Sequence, residues 1–266
     1  MSTDRDRSPL RRARHLLRIY ATEHPALYLP FARRKYPGPS PEVISSETDL
    51  VIDGYTRCGS TLAVYALQFA QERPVRLAHH LHAPAQLIEA ARRGLPALAL
   101  IRRPQDAILS QIVREPDVAM REALIAYARF YSCLLSYRPR FVVADFEDVT
   151  SDFGAVTRRL NEKFGLSLDE FEPTAANKRS CSDLQRQRST LSPALLGFES
   201  GTVSLSELRL QESGSATGTL VEERDAWVPS AERERAKAAL LEAWLRPALS
   251  KHRGRAESIY REFKRD

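Results

Sequence analysis

Residues 49–71 read DLVIDGYTRCGSTLAVYALQFAQ: a short apolar run, a turn bounded by Gly54 and Gly59, then a helical run opening at Ser60. A buried strand that turns through glycines into a helix is a common way to hold an anion, because turn amides converge and the helix N-terminus adds its positive dipole end. The same alternation continues along the chain. PVRLAH precedes APAQLIEAARRG, PALALI precedes PQDAILSQIVR, and RFVVADF precedes SDFGAVTRRLNEKFG. Apolar runs each followed by helical periodicity predict a parallel sheet covered by helices on both faces. The expected architecture is therefore a single α/β domain over residues 46–266, with a P-loop-like turn after its first strand. Residues 1–45 are basic and proline-punctuated, and read as an arm that packs on this domain or leads into it. Residues 172–226 are rich in Ser, Thr, Gln and Gly and read as a long functional loop with few clear elements. Helices return in SAERERAKAALLEAWLRPAL, behind a serine cap, and in RAESIYREFKR.

Composition narrows the function classes. With 266 residues, 43% of them hydrophobic, the chain can bury the core of a large domain. A formal charge of +6 and a pI near 9.4 suit nucleic acid, anionic lipid or a phosphorylated small molecule. Arginine clusters in LRRARHLLR and FARRKYP concentrate that charge near the N-terminus. Elsewhere arginines mix with acids, and neither a recognition helix nor an aromatic platform appears, so no nucleic-acid partner is expected. Cys58, Cys133 and Cys181 show no C-x-x-C spacing, which argues for a reducing, cytoplasmic setting. No apolar run reaches the roughly 18 to 20 residues of a spanning helix; residues 10–36 stay compatible with peripheral membrane contact.

The turn itself departs from the nucleotide triphosphatases. Gly54, Gly59 and Thr61 occupy three fixed positions of G-x-x-x-x-G-K-[ST], but Ser60 stands where the phosphate-reaching lysine belongs. The cation is instead Arg57, within the loop. A second segment, LALIRRPQDAILSQ, puts Arg102 and Arg103 at a strand end, Pro104 at a helix start and Ser110 two turns in. Ligands of open parallel sheets bind beyond the carboxyl ends of the strands, so this segment and the Gly54 turn face one crevice. An arginine fork backed by a serine hydroxyl suits a second phosphate.

With these residues in order, the chain resembles the sulfotransferases that use 3′-phosphoadenosine 5′-phosphosulfate (PAPS), on the side of their bacterial or carbohydrate-type branches. Arg57-Cys58-Gly59-Ser60-Thr61 is similar to the family's [KR]-[SAC]-G-[ST]-[ST] loop, which binds the 5′-phosphosulfate. Arg102, Pro104 and Ser110 are similar to its R-x-P-x-x-x-x-x-S pattern, which binds the 3′-phosphate. The stretch VVADFEDVTSDFGAVTRRLNEKFGL, with Glu147 and Asp148 as its acidic pair, resembles a third segment. The likeness covers about residues 49–166, and the family's later glycine-tryptophan motif is absent. Lys178, Arg179 and Arg186 are candidates to complete the nucleotide pocket. The resemblance implies PAPS as donor, no metal, and a hydroxyl or amine acceptor on a small molecule, lipid or carbohydrate.

The acceptor's proton needs a base. In LAHHLHAPAQL three histidines fall at the end of the second predicted strand, on the same sheet edge as the loop, and histidine titrates near neutrality. His82, before Ala83-Pro84, matches the family's spacing for its base. Strand alternation puts His80 on the same side and makes it the second candidate, while His79 reads as a packing residue. Other classes stay open at this point. His80 and His82 form an H-x-H pair that zinc could use, though no third ligand is apparent; a P-loop-type kinase or triphosphatase would share the turn; and a protein that only binds nucleotide would keep the loop without the chemistry.

Overall fold

The computed structural model describes residues 17–38, 40–188, 192–213 and 230–265. In chain order the elements are α1 (Pro25–Lys35), β1 (Leu50–Gly54), α2 (Ser60–Ala70), β2 (Leu77–His79), α3 (Pro84–Arg93), β3 (Ala97–Ile101), α4 (Pro104–Arg114) and α5 (Met120–Ser132). They continue as β4 (Val142–Asp145), α6 (Phe146–Ser151), α7 (Phe153–Phe164), α8 (Ala175–Gln187), α9 (Pro193–Ser200), α10 (Leu205–Ser213), α11 (Ala231–Ala239), α12 (Leu241–Leu245) and α13 (Ser250–Lys264). The four strands lie in the order β2-β1-β3-β4, every pair parallel. The expected α/β class and central parallel sheet are present.

All residues of β1 and β3 are buried, as central strands covered on both faces require. The strand order reverses around β1: the chain steps outward to β2, then returns to place β3 on the other side. The loops after β1 and β3 thus flank the topological switch point of the sheet, the crevice at which open α/β sheets bind ligands. Gly54 is still in β1, and its glycine requirement comes from packing: a Cβ there would stand 2.3 Å from the Leu100 carbonyl oxygen of β3. The turn glycine is Gly59, which caps α2 at φ 93°, a left-handed conformation that side chains disfavour.

Two tyrosines of α5, a turn apart, pin the strand ends. Tyr131 donates to Leu100 O at 2.8 Å and accepts from Tyr55 N at 3.2 Å, while Tyr127 donates to Arg102 O at 2.6 Å. The last helix is tied to β4 through Asp145, which accepts from Tyr260 Oη and, at 2.7 Å, from Lys264 Nζ. Residues 25–45 contribute Leu29, Ala32, Val43 and Ile44 to the core, and Glu42 forms an antiparallel bridge to His79; residues 1–16 of the expected arm lie outside the described residues.

The expectation of a loop over 172–226 is corrected by the structure. Thr174 and Ser192 cap α8 and α9 by accepting from Asn177 N and Leu195 N. Helices α8 and α10 bury only a narrow apolar stripe, Cys181 and Leu184 in α8 and Leu208 in α10, while the short α9 packs Leu195, Gly197 and Phe198 inward. So few apolar residues in so polar a stretch gave little periodic signal. Residues 214–229 lie outside the described part. The expected cap before α11 is present, with Ser230 accepting from Arg233 N.

Candidate functional site

The loop Tyr55–Gly59, the residues after β2, the start of α4 and Phe146 all lie at the carboxyl edge of the sheet. The first turn of α2 has no side-chain cap and no acidic residue, so its amides and dipole face the crevice uncompensated. Ser60 Oγ is buried there with no hydrogen-bond partner. Arg57, left-handed at φ 69°, directs its Nε to Ser110 Oγ at 3.0 Å, which joins the two segments read from the sequence as separate phosphate sites. Arg102 reaches back to Arg57 O at 3.1 Å, its guanidinium lies 3.7 Å from the centre of the Phe146 ring, and its buried Nε has no partner. Burial pushes the Arg57 pKa down to about 10, and Arg233, Arg114 and Arg102 push it the same way against Glu115. The positive charge of Arg233, Arg114 and Arg102 around Arg57 outweighs that of Glu115, a field that favours an anion at the loop.

Cys58 faces the other way. It is fully buried, its Sγ lies 3.3 Å from Tyr131 Oη, and burial raises its thiol to about 12; its side chain fills the core beneath the loop. Thr61 Oγ1 lies 3.1 Å from His80 Nε2, so the loop and the histidines are in contact.

The histidines come together by a route different from the expected strand alternation. β2 ends at His79, and both His80 (φ 59°) and His82 (φ 50°) are left-handed. Among the described residues the non-glycine positions with positive φ are Arg57, His80 and His82. Such strain costs about 1 to 3 kcal/mol per residue and persists where the surroundings impose it. His82 Nδ1 lies 2.9 Å from Gly54 O. A carbonyl only accepts, so Nδ1 carries the proton and Nε2 holds the lone pair. Burial lowers the His82 pKa to about 4, against the bond to Gly54 and with help from Arg188 and Arg57, so the ring is neutral near pH 7. His80 is engaged through both nitrogens, with Thr61 and, at 2.5 Å, with His79 Nδ1.

Asp53 was not singled out from the sequence. It is fully buried and accepts at Oδ1 from the amides of Gly54 (2.9 Å) and His82 (3.1 Å), and at Oδ2 from Gln86 Nε2 (3.3 Å). It thereby fixes the turn after β2 against the end of β1. Burial raises its pKa to about 7 in spite of these bonds. The signal was an acid inside an apolar strand, since a buried carboxyl must have assigned partners. Arg233 and Phe146 were also missed, because elements distant in sequence bring them near Arg57 and Arg102, and Arg114, one turn beyond Ser110 on α4, carries no local mark.

The remaining candidates have structural attachments. Asp148 completes a capping box with Asp145 and pairs with Arg159 at 3.3 Å. On α8, Lys178 bonds Ser151 O and Arg186 pairs with Asp183; Arg179 is exposed on the same helix. None of these bonds reaches the loop. His79, His80 and Glu199 bring one ligand atom each within 4.8 Å of one another. Glu199, however, accepts from Tyr65 Oη at 2.6 Å and from Arg188 Nε at 2.7 Å. A metal there would have to displace a buried ion pair and sit beside the freed arginine.

Among the described residues no helix is long and apolar enough to cross a membrane, and Cys58, Cys133 and Cys181 are free. No protein-family model, no curated protein and no solved structure matches the chain.

Proposed function

We propose that the protein is a sulfotransferase that moves the sulfuryl group of PAPS to a hydroxyl or amine, with the Arg57–Thr61 loop on the 5′-phosphosulfate and Arg102 with Ser110 on the 3′-phosphate. The observation that carries this reading is the pair of buried, partnerless donors, Ser60 Oγ and Arg102 Nε, one in each of the two segments assigned to the donor's two anionic ends. Leaving such groups unpaired costs about 1 to 3 kcal/mol each, a cost that a bound anion removes.

In this reading the acceptor oxygen or nitrogen attacks sulfur while the bond from sulfur to the 5′-phosphate oxygen breaks in line. Its electron pair stays on that oxygen, giving 3′-phosphoadenosine 5′-phosphate. Arg57, Ser60 and the α2 amides neutralise the leaving oxygen, where charge gathers in a loose transition state. His82 Nε2 takes the acceptor's proton. Its basicity rises when the donor's negative charge arrives beside Arg57. Asp53 and Gly54 O position that ring without touching the reacting atoms. Ser60 removes the lysine on which a P-loop kinase depends, and Asp53, the acid of β1 just before the turn, is committed to the amides of Gly54, His82 and Gln86. Both features weigh against the kinase or triphosphatase alternative.

The test is release of 3′-phosphoadenosine 5′-phosphate from PAPS, followed by mass spectrometry, over a panel of sugar, lipid, phenol and amine acceptors. Acceptor-dependent release that Arg57→Ala abolishes supports the assignment. Tight PAPS binding without release for any acceptor would reduce the protein to a nucleotide binder.

A further inference from the structure

Seven large apolar side chains are exposed among the described residues, and four of them, Leu17, Tyr20, Leu27 and Phe31, fall within residues 17–31. Pro25, Leu29 and Ala32 give α1 its buried side. Leu27, Pro30, Phe31 and Arg34 share the opposite face at helical spacing and are all exposed. Leu27 is 62% and Phe31 55% exposed, so these side chains protrude instead of lining a groove. Tyr20 extends the apolar row by packing on His24, ring centres 4.2 Å apart, one residue before the helix.

The charge beside this face is of one sign. Arg18 precedes it, and Arg33, Arg34 and Lys35 occupy the last turn of α1. The only acid in residues 17–38 is Glu23, which is held by Arg129 in two bonds of 2.7 Å. Cations at a helix C-terminus complement its dipole, which explains the triplet but not the protruding leucine and phenylalanine next to it. A two-fold contact with a second copy would set these cations against their like. Protruding apolar side chains flanked by cations match a surface with acyl chains below and negative headgroups above.

We infer that residues 17–35 dock the protein on an anionic lipid surface, with Leu27 and Phe31 at the acyl boundary and Arg18, Arg34 and Lys35 among the headgroups. The inference needs no part of the nucleotide assignment and is tested separately from it. The full chain is floated with vesicles of phosphatidylcholine alone and of phosphatidylcholine mixed with phosphatidylserine. It should bind the mixed vesicles and be recovered largely free from the neutral ones. Arg34→Ala with Lys35→Ala should weaken binding about 25-fold, roughly fivefold for each cation, and Leu27→Asp with Phe31→Asp should abolish it. All four positions are exposed, so circular dichroism and melting should match wild type.

Absence of wild-type binding to mixed vesicles, or undiminished binding of the aspartate pair, overturns the proposal. So does a concentration-dependent dimer, seen by sedimentation, that the aspartate pair dissolves in a protein indifferent to vesicles, since the face would then belong to a second copy. Vesicle binding that appears only after removal of residues 1–16 would assign the face to that segment and equally overturn it.

Discussion

Replacing Asp53 by asparagine isolates the cost of a buried acid that the fold uses as a bracket. Asparagine keeps an oxygen for the Gly54 and His82 amides, both received by Oδ1. Its amino group then meets Gln86 Nε2, and Gln86 cannot turn over freely because its Oε1 holds Ile44 N at 3.1 Å. At low pH the substitution should therefore cost one hydrogen bond, about 1 kcal/mol. Burial raises the Asp53 pKa from its ordinary 3.8 to about 7. The folded protein thus binds this proton more tightly than the unfolded chain does. The resulting stability is fully present below the unfolded pKa and is lost as pH rises through the folded one. At ~1.4 kcal/mol per pH unit the interval is worth about 4 kcal/mol. Relative to wild type, Asp53→Asn should gain up to that amount between about pH 4 and about pH 8. His79, lowered to about 3, pushes stability upward with pH below its ordinary 6.5 in both proteins and cancels in the difference, whereas His82 Nδ1 lies 3.5 Å from Asp53 Oδ1, so the difference reads these two groups together. Urea unfolding at a series of pH values measures it. A difference between the two proteins that does not change with pH would refute the account of Asp53.

Arg102→Ala should weaken binding of 3′-phosphoadenosine 5′-phosphate about 10- to 150-fold, the worth of a charge-assisted hydrogen bond, and leave adenosine 5′-phosphate nearly unchanged; calorimetry with both nucleotides decides whether the arginine reads the 3′-phosphate. His82→Asn should lower turnover about 10²- to 10⁴-fold and spare nucleotide affinity, and steady-state kinetics beside a binding curve would expose any other pattern. Gly54→Ala sets a methyl 2.3 Å from the Leu100 carbonyl oxygen, so the urea midpoint should fall by the equivalent of about 1 to 3 kcal/mol or more.

Much of the crevice was legible because its parts follow local rules. Each strand is an apolar run, and Pro104 at the start of α4 sets Ser110 two turns inside. The αL residue at Gly59 marks the turn into α2. These signals place Arg57, Arg102, Ser110 and the histidines at one sheet edge without knowledge of tertiary contacts. What escaped was the part set by packing between distant segments. Gly54 reads as a turn glycine, yet the approach of Leu100 explains it. His80 and His82 read as alternate strand residues, yet the strand stops at His79 and left-handed backbone carries both rings to the crevice. The tyrosines of α5 that hold the strand ends, and Arg114 and Arg233 beside Arg57, carry no local pattern that marks them. Helices α8 and α10 were hidden because each buries so few apolar side chains, and α9 because its eight residues are too short to show a period.

The central claim is that the crevice holds a nucleotide with two separated anionic ends and not the phosphate chain of a triphosphate. Isothermal titration of the purified protein with 3′-phosphoadenosine 5′-phosphate, set against ATP with Mg²⁺, tests it most directly. The account predicts saturable binding of the bisphosphate and weak or no binding of ATP. Binding of ATP with the bisphosphate ignored would contradict it and return the Arg57 loop to the nucleotide triphosphatases.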